Sequence, residues 1–413
     1  VTEELEHELD VFLNIILLLY ADDTVLMSET PQDLQIQLDF FNEYCNYWKL
    51  KVNVSKTKIL CFSYGRLPDN LHFVLDDQEI EIVQEFSYLG ILLTKTGNYK
   101  KAIKSQVEKG TKAMYEILKR GKFHSLSVSC QLDLFDRVVK PVLLYGSEIW
   151  GFSNCDIVEK VHLKFCKLLL NLKSSTPNCM IYGELGRFPL SIDVKLRMIS
   201  YWSKLIMGKQ SKYSCIIYKL LYHLYCTKHI DFKWLICVKN VFDECGFSYI
   251  WNTQLFLNDV WLKYNIKVRL CDQFKQTWNE TIQNCSKALN YRIFKNLLCF
   301  EEYFNILDEK DFLTLCKFRI CNHKLPVELG RWYNIEREKR KCNLCKLDIG
   351  DEFHYIINCS HFTEERNKFI NRNFSIRPNI IVFTEIMSST NRTDLINLCK
   401  FIRIINKRVC PPE

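Results

Sequence analysis

Two adjacent aspartates, Asp22 and Asp23, stand at the end of an apolar segment, directly after a tyrosine and an alanine. The apolar and β-branched residues on both sides predict a β-hairpin over 12–28 with a tight turn at this pair. Mg²⁺ prefers one or two protein carboxylates together with water and substrate phosphates. The pair therefore fits two-metal nucleotidyl transfer, while the plainer interpretation is an ordinary turn, in which aspartate is common.

A second group of possible metal ligands lies late in the sequence, with the spacing Cys-x2-Cys-x8-His-x4-Cys. Thiolates and an imidazole at this spacing have the chemistry and the reach to hold one tetrahedral Zn²⁺. A Cys-x2-Cys pair alone means little in a chain with 20 cysteines, but a well-spaced histidine and cysteine directly after it are not expected by chance. The alternative is a set of reduced core cysteines beside a packed histidine. The predicted zinc ligands are Cys342, Cys345, His354 and Cys359.

Other residues around this group bear on the prediction. His361 is a substitute ligand if Cys359 points away, and Cys321 and His323 are more distant candidates. Three neighbouring cations are expected to stabilise the thiolates: Arg340, Lys341 and Lys346.

A helix with clear start signals follows the aspartate hairpin. Thr30 is a suitable N-cap, Pro31 suits the first turn, and Asp33 completes an imperfect capping box. Apolar residues then recur at helical spacing, which predicts one buried face. These residues are Leu34, Leu38, Phe41, Cys45 and Trp48.

Short strands are predicted after this helix, and helices dominate from residue 98 onward. The sequence of hairpin, helix and strands indicates an α+β fold. The predicted strands cover 51–54, 59–62, 73–75, 80–83 and 86–91, with 76–79 as a hairpin turn. Residues 173–190 are rich in Ser, Thr, Pro and Gly and are predicted to form a loop. The predicted domains are 1–97, 98–210, 211–336, 337–372 and a tail over 373–413.

The composition limits the class of protein. It is 48% hydrophobic and 13% aromatic with only 13 glycines and 9 prolines, which favours packed, largely helical structure over disorder. No signal peptide is recognisable, and the longest apolar run, near 15–21, is too short to span a bilayer. We therefore expect reduced cysteines and an intracellular protein of the nucleus, the cytoplasm or both, without membrane contact. The net charge of +8 also suits a phosphate-rich partner.

Several motifs in this order resemble the reverse transcriptases of non-LTR, LINE-type retrotransposons. Tyr20-Ala21-Asp22-Asp23 resembles the catalytic turn of the family's palm, and the segment 50–58 resembles the next palm motif. The resemblance implies that Lys56, with Lys58 as second choice, lies near the phosphates of the incoming nucleotide. A solvated lysine at a strand edge is the alternative.

Further motifs extend the resemblance along the chain. The segment 145–150, Tyr-Gly-Ser-Glu-Ile-Trp, is similar to a segment on the thumb side of LINE-type enzymes. The Cys-Cys-His-Cys group with Arg366 downstream is similar to their C-terminal zinc module, for which nucleic-acid binding and a purely structural zinc both remain open. The segment 86–90 resembles the primer-grip hairpin, which implies primer-positioning roles for Tyr88, Leu89 and Gly90.

The first predicted helix after residue 98 carries lysines opposite its apolar face, where the family's thumb grips nucleic acid. The resemblance implies salt-sensitive binding that tolerates any base sequence, although a solvated helix face is the alternative. The implied partners are an RNA template and a DNA primer or target DNA, and the implied cofactors are Mg²⁺ and Zn²⁺. The lysines are Lys101, Lys104, Lys112 and Lys119.

The resemblance lacks the part of a LINE reverse transcriptase that precedes the Asp-Asp hairpin. In the family that part carries the fingers and the palm strand with a third metal-binding aspartate, and neither Glu8 nor Asp10 has a suitable context to replace it. We expect an enzyme fragment that is inactive alone. One competing interpretation is a non-catalytic nucleic-acid-binding remnant with a structural zinc, which the upstream reading frame would distinguish. The other is a helical scaffold without nucleic-acid affinity.

Overall fold

The structure is a computed structural model that describes residues 17–63, 65, 71–209, 212–371 and 379–410. Helices make up most of these residues, and the strands form small two-stranded sheets. This mixture agrees with the predicted α+β class. The first arm of the predicted hairpin before residue 17 lies outside the described residues. No helix within the described ranges is long and apolar enough to cross a membrane.

Apart from the first helix, the strands precede the helices in the chain. The strands are β1 (Leu17–Tyr20), β2 (Asp23–Leu26), β3 (Ile59–Leu60), β4 (Val74–Leu75), β5 (Gln78–Glu79), β6 (Ile82–Val83), β7 (Glu85–Tyr88) and β8 (Ile91–Thr94). The helices are α1 (Pro31–Tyr47), α2 (Lys100–Phe123), α3 (Val128–Leu134), α4 (Lys140–Leu143), α5 (Ser147–Trp150), α6 (Asp156–Leu169), α7 (Asn178–Leu185), α8 (Leu190–Met207), α9 (Tyr213–Lys228), α10 (Lys233–Glu244), α11 (Ser248–Thr253), α12 (Asp259–Asn284), α13 (Tyr291–Phe294), α14 (Tyr303–Ile306), α15 (Glu309–Arg319), α16 (Pro326–Trp332), α17 (Thr363–Phe369), α18 (Ile380–Met387) and α19 (Arg392–Val409).

Internal contacts divide the chain into two units, each built from segments that are distant in sequence. The domains predicted from the sequence are instead contiguous stretches, and their boundaries stay a prediction. The first unit comprises Val1–Glu108, Leu144–Cys155 and Val194–Tyr264, and the second comprises Lys109–Leu143, Asp156–Asp193 and Asn265–Glu413.

Helix α1 supports the aspartate hairpin of the first unit. The backbone N–H of Asp33 donates to Thr30 Oγ1 at 3.1 Å, so the predicted N-cap is present. The helix ends before Trp48, which is 60% exposed and does not belong to the predicted buried face. Leu38 of the helix lies in a small core against which Leu26 of β2 packs. The other buried members of this core are Ile59, Phe73, Leu75 and Ile80.

The strand predictions between 51 and 94 need correction at three places. Residues 51–54 are not a strand, because the Asn53 side chain accepts hydrogen bonds from Ser55 Oγ (2.7 Å) and the Lys56 N–H (3.2 Å) and favours a turn. The turn predicted over 76–79 is shorter, because β4 pairs with β5 and leaves only residues 76–77 between them. The next strand, β6, pairs in parallel with β3 instead. The single strand predicted over 86–91 is a hairpin of β7 and β8 that turns at Leu89 and Gly90.

In the second unit, the loop predicted over 173–190 contains helix α7. Every residue of this helix after Asn178 is buried, so it has no polar face and no amphipathic period that the sequence could reveal. Its Glu184 accepts a hydrogen bond from Arg319 at 3.1 Å, and Arg319 also donates to Glu301 at 2.8 Å. These contacts fix α7 to α15 through a buried ion pair.

Candidate functional site

The aspartate hairpin turns at Ala21 and Asp22, and Asp23 pairs with Tyr20 as the first residue of β2. Ala21 has φ +53°, a left-handed conformation that costs a residue with a Cβ on the order of 1–2 kcal/mol. The strand pairing and the α1 core hold the turn in this conformation. Both aspartates are exposed, so their oxygens are available to solvent and to a metal.

These carboxylates have exposed apolar neighbours, and the described residues do not complete a metal site around them. Leu19 is 67% exposed and Tyr20 is 61% exposed on the same hairpin. Within the described residues, potential metal ligands converge in groups of three or more at two places, and neither group includes Asp22 or Asp23. A two-metal centre holds two ions, and the described residues bring no third ligand to this pair. The described residues therefore present the turn without assembling the rest of such a centre.

The two lysines predicted near the phosphates differ in their contacts. Lys56 is exposed and lies in a turn rather than on a strand. Lys58 Nζ lies 2.8 Å from Glu81 Oε2, which occupies its ammonium group. Lys56 therefore remains the better candidate for contact with a phosphate, and this role is a prediction.

The predicted primer-grip residues form the turn between β7 and β8. Leu89 has φ +45° and Gly90 has φ +79°, and both are exposed. The turn is held from behind, because Tyr145 Oη donates to Leu89 O at 2.8 Å and Gln106 Nε2 donates to Gly90 O at 3.0 Å. A Cβ on Gly90 would lie 3.2 Å from the Tyr145 ring. The sequence identified the segments around Tyr88 and Tyr145 separately, and the structure brings them together.

The Tyr145 segment is itself anchored within the first unit. Trp150 Nε1 donates to Tyr145 O at 2.8 Å, and Trp234 Nε1 donates to Glu148 O at 2.8 Å. Gly146 has φ +71°, and a Cβ there would lie 2.6 Å from Ile91 Cδ1. The positive φ favours glycine here, and any Cβ would have to displace the end of the Ile91 side chain, so the segment packs closely behind the turn.

Helix α2 presents its predicted lysines on an exposed surface. Lys101, Lys104, Lys112 and Lys119 are all exposed, and Lys101 also forms an ion pair with Glu85. The end of the helix adds cations that the sequence analysis did not select. A groove there is lined by Glu116, Lys119, Arg120, Lys122 and Phe123.

The Cys/His group is assembled in the second unit. Its four ligand atoms lie within 4.8 Å of one another, with 4.0 Å between the Cys342 and Cys359 sulfurs and 3.3 Å between Cys345 Sγ and His354 Nε2. Zn–S bonds of about 2.3 Å at tetrahedral angles place two sulfurs about 3.8 Å apart, close to the first of these distances. The residues therefore fit one zinc ion, and zinc binding remains a prediction.

Backbone and side-chain contacts position the ligands of this cluster. The Cys342 N–H donates to Asp348 O at 2.8 Å, which closes the loop that carries Cys345. The His354 N–H donates to Asp351 Oδ1 at 2.9 Å and starts a π-helical turn over His354–Asn358. Arg366 donates to Cys359 O at 2.9 Å. The cluster is thus preorganised by hydrogen bonds that do not use the ligand atoms.

The thiols of the cluster have unequal acidity. Burial alone would raise the pKa of Cys342, but hydrogen bonds from Tyr355 and from the Cys345 and Leu344 N–H groups outweigh it and lower the pKa to about 6. Burial and the neighbouring Cys342 raise the pKa of Cys359 to about 12. Metal binding needs both sulfurs as thiolates, so at neutral pH it is expected to release the proton mainly from Cys359.

Two of the three cations predicted to stabilise the thiolates have other partners. Arg340 donates to the carbonyls of Ile335 (2.8 Å) and Val327 (3.0 Å), and Lys341 donates to Leu347 O (3.1 Å). The thiolate partners are instead backbone N–H groups and Tyr355. His361, the predicted substitute ligand, is exposed.

The more distant candidates Cys321 and His323 form a second buried group with Glu352. The Leu325 N–H donates to His323 Nδ1 at 3.3 Å, so Nδ1 is an acceptor and the ring proton of a neutral imidazole lies on Nε2. That proton is donated to Glu352 Oε1 at 2.6 Å. Cys321 Sγ donates to Lys287 O at 3.1 Å. This group is a satisfied hydrogen-bond network, and its histidine offers no lone pair to a metal.

Comparison with known proteins supports the interpretation of the first hundred residues. A family model described as reverse transcriptase (RNA-dependent DNA polymerase) matches residues 1–93. The matched segment contains the aspartate hairpin, Lys56 and strand β7. The predicted resemblance to LINE-type reverse transcriptases is therefore confirmed, and the role of each residue stays a prediction.

Individual relatives come from mobile elements. A transposon-derived protein of Caenorhabditis elegans is 27% identical over 162 residues, which cover 38% of this chain and 55% of that protein. The RNA-directed DNA polymerase from mobile element jockey of Drosophila melanogaster is 23% identical over 172 residues, 39% of this chain and 18% of that protein. The polymerase from transposon BS of the same species is 29% identical over 148 residues, 32% and 16% respectively. The match thus spans about half of the first relative and under a fifth of the two polymerases.

Proposed function

Because the chain resembles the reverse transcriptases of non-LTR mobile elements, we propose that it is part of an RNA-directed DNA polymerase. The observation that carries the proposal is the hairpin that turns at Ala21 and Asp22 inside the segment matching the family. Its substrates are then an RNA template paired with a DNA primer, or target DNA that serves as the primer.

In this proposal Asp22 is the direct Mg²⁺ ligand and Asp23 the supporting one. When bound, the two metal ions activate the attacking 3′-oxygen and stabilise the departing pyrophosphate. Lys56 neutralises or protonates that pyrophosphate. The exposed apolar side chains of Leu19 and Tyr20 support the idea that further palm sequence packs on this hairpin and supplies a carboxylate. The 413-residue chain alone is therefore expected not to extend primers.

The turn at Leu89 and Gly90 is proposed to position the primer end. Its backbone is fixed by Tyr145 and Gln106, while the tip stays exposed for contact with nucleic acid. A positioning element needs a rigid support of this kind, since small displacements of a reacting group cost much of the rate.

Helix α2 is proposed to follow the phosphate backbone of the primer-template duplex. Lys104, Lys112 and Lys119 are the main contacts, and Lys101 contributes less because Glu85 already neutralises it. Exposed ammonium groups on one helix contact phosphates without reading bases, so binding should be salt-sensitive and tolerant of sequence.

The Cys342, Cys345, His354 and Cys359 cluster is proposed to hold one structural Zn²⁺. Three of the four residues are buried and Cys345 is half-buried, which supports a closed site without an open coordination position. The zinc would hold the loop of Cys345 and the π-helical turn of His354 together.

A non-catalytic nucleic-acid-binding role is the second candidate function. It is favoured by the contrast between the assembled Cys/His cluster and the isolated aspartate pair.

In a longer polypeptide that supplies the upstream palm, Asp22→Asn should reduce primer extension to background, while the remnant interpretation predicts no extension from either form.

Binding of a labelled primer-template hybrid tests the α2 surface. Four phosphate contacts predict that affinity falls about a hundredfold between 50 and 200 mM salt, and that removing three contacts lowers the salt slope by about three. Affinity that does not change with salt would contradict the proposal. The test variant replaces Lys104, Lys112 and Lys119 with glutamine, and the control variant replaces Lys209, Lys228 and Lys310, which are exposed elsewhere.

A further inference from the structure

A small recess in the second unit collects polar groups from distant parts of the chain. Its wall is formed by residues 173–177, by Lys287 and by residues within 320–332. The hydrogen-bond donors in this wall include two ammonium groups, two hydroxyl groups and an amide, a set that suits an anion with several oxygens. They belong to Lys173, Lys287, Ser175, Thr176 and Asn322.

The charge of this recess is not balanced by its own carboxylate. Glu328 is buried, and it already lies 3.5 Å from Lys287 Nζ and 3.1 Å from Arg331 Nε. Lys173 makes no ion pair in the described part of the chain. Its pKa is lowered by burial and by the neighbouring ammonium groups of Lys287 and Lys324, with Glu328 opposing them. The recess therefore carries excess positive charge.

An exposed aromatic surface borders the recess. The Lys173 Nζ lies 4.1 Å from the ring centre of Trp332, which remains 51% exposed. Tyr333 follows it at the end of α16 and is 75% exposed. Exposed aromatic rings beside lysines favour a strand that offers a phosphate and an unpaired base together, because every base can stack on an aromatic face.

We propose that this recess binds a phosphate group of single-stranded RNA or DNA, with a neighbouring base stacked on Trp332. The proposal goes beyond the polymerase assignment and shares with it only a nucleic-acid partner. Lys173 is the central contact for two reasons. Its ammonium group forms no ion pair within the described residues, and it lies against the Trp332 ring. The loop that carries it is held in place by Lys167, whose Nζ donates to Ser174 O at 2.8 Å.

The test is the binding of a fluorescent single-stranded oligonucleotide to the full chain over a salt series. Lys173→Glu should weaken binding about tenfold or more and lower the salt slope by about one, as expected for one lost phosphate contact. Trp332→Ala should weaken binding of the single strand about tenfold and leave binding of a duplex unchanged, because paired bases cannot stack on it. The matched control is Lys310→Glu, an exposed lysine of the same unit. Lys173→Gln serves as a second variant if charge reversal disturbs folding.

Competition distinguishes the source of the phosphate. An unlabelled oligonucleotide should displace the probe, while inorganic phosphate and a mononucleotide at the same phosphate concentration should not. Displacement by inorganic phosphate at that concentration would overturn the assignment to a strand. Variants that bind like Lys310→Glu, while the wild-type chain binds the oligonucleotide, would overturn this site and leave the polymerase proposal standing. A wild-type chain that binds no nucleic acid would overturn both.

Discussion

Asp22 and Asp23 lie at an exposed turn, whereas the ligand atoms of the mostly buried Cys/His cluster already lie within 4.8 Å of one another. Both sets consist of residue types that bind metals, and both were recognised from short sequence motifs. They differ in what surrounds them. The cluster receives backbone hydrogen bonds from its own loop, while the aspartate hairpin exposes apolar residues such as Leu19.

This difference follows from the distance between the ligands in the sequence. The four residues of the Cys/His cluster come from one short segment, so local hydrogen bonds suffice to assemble them. A two-metal polymerase centre collects carboxylates from separate strands and also takes oxygens from its substrates. A sequence motif can therefore be complete although its metal site also requires residues from other segments of the polypeptide and oxygens from the substrate.

The largest predicted effect concerns the cluster. Cys359→Ser should remove the bound zinc and unfold the surrounding loop, since zinc contributes ~10 kcal/mol in small zinc-dependent folds. Zinc content and thermal unfolding measure both consequences. Cys226→Ser, at an exposed cysteine, is the control and should keep one zinc per chain. Equal zinc content in the two variants would refute the assignment of Cys359.

The buried ion pair that fixes α7 predicts the next largest effect. Arg319→Met leaves the fully buried Glu184 without its cation and should destabilise the chain by about 3–5 kcal/mol in denaturant unfolding. Adding Glu184→Gln should recover part of this loss, because the stranded charge is then removed. A loss below about 1 kcal/mol would show that the second unit does not depend on this pair.

A smaller effect should appear in how the stability of the folded chain depends on acidic pH, through Asp136. Burial raises the pKa of Asp136, but the two hydrogen bonds from Arg187 (2.6 and 2.7 Å) outweigh it and lower the pKa below its ordinary value. The folded form is thereby stabilised above about pH 4, and this contribution disappears as the pH falls through the lowered value.

Asp136→Asn should therefore lose about 1–2 kcal/mol at pH 7 and show a flatter acid limb than the wild type. Unfolding by denaturant between pH 7 and pH 3 measures this difference. Parallel curves for the two proteins would mean that Asp136 has the same pKa in the folded and unfolded chains.

The smallest effect is expected at the turn between β7 and β8. Tyr145→Phe removes the hydrogen bond to Leu89 O and should cost about 1 kcal/mol or less locally. Faster hydrogen exchange at the amides of Leu89 to Ile91 is the expected observation, with Tyr264→Phe, an exposed tyrosine of the same unit, as control. Unchanged exchange would mean that Tyr145 does not support the turn.

Local structure was predictable where a residue contacts others close to it in the sequence. The Thr30 cap and the turn at Asp22 follow from side-chain and backbone preferences within four residues. Residues 51–54 show the limit of this reasoning. They have strand-like composition, yet the Asn53 side chain bonds the following backbone and forms a turn.

Long-range packing was not predictable from the sequence. Helix α7 is buried on all sides, so its sequence lacks the helical periodicity of apolar and polar residues that indicates an amphipathic helix. The contact of Tyr145 with Leu89 and the recess around Lys173 join segments that no local pattern connects. The Cys/His cluster could be predicted from the sequence because all four of its residues lie in one segment.

Primer extension by the isolated, zinc-loaded chain on an RNA template with Mg²⁺ tests the central claim most directly. The account predicts binding of the primer-template and no extension above that of Asp22→Asn, because the described residues bring no further carboxylate to the aspartate pair. Extension by the wild-type chain that Asp22→Asn abolishes would contradict it, since it would show that these 413 residues complete the polymerase centre on their own.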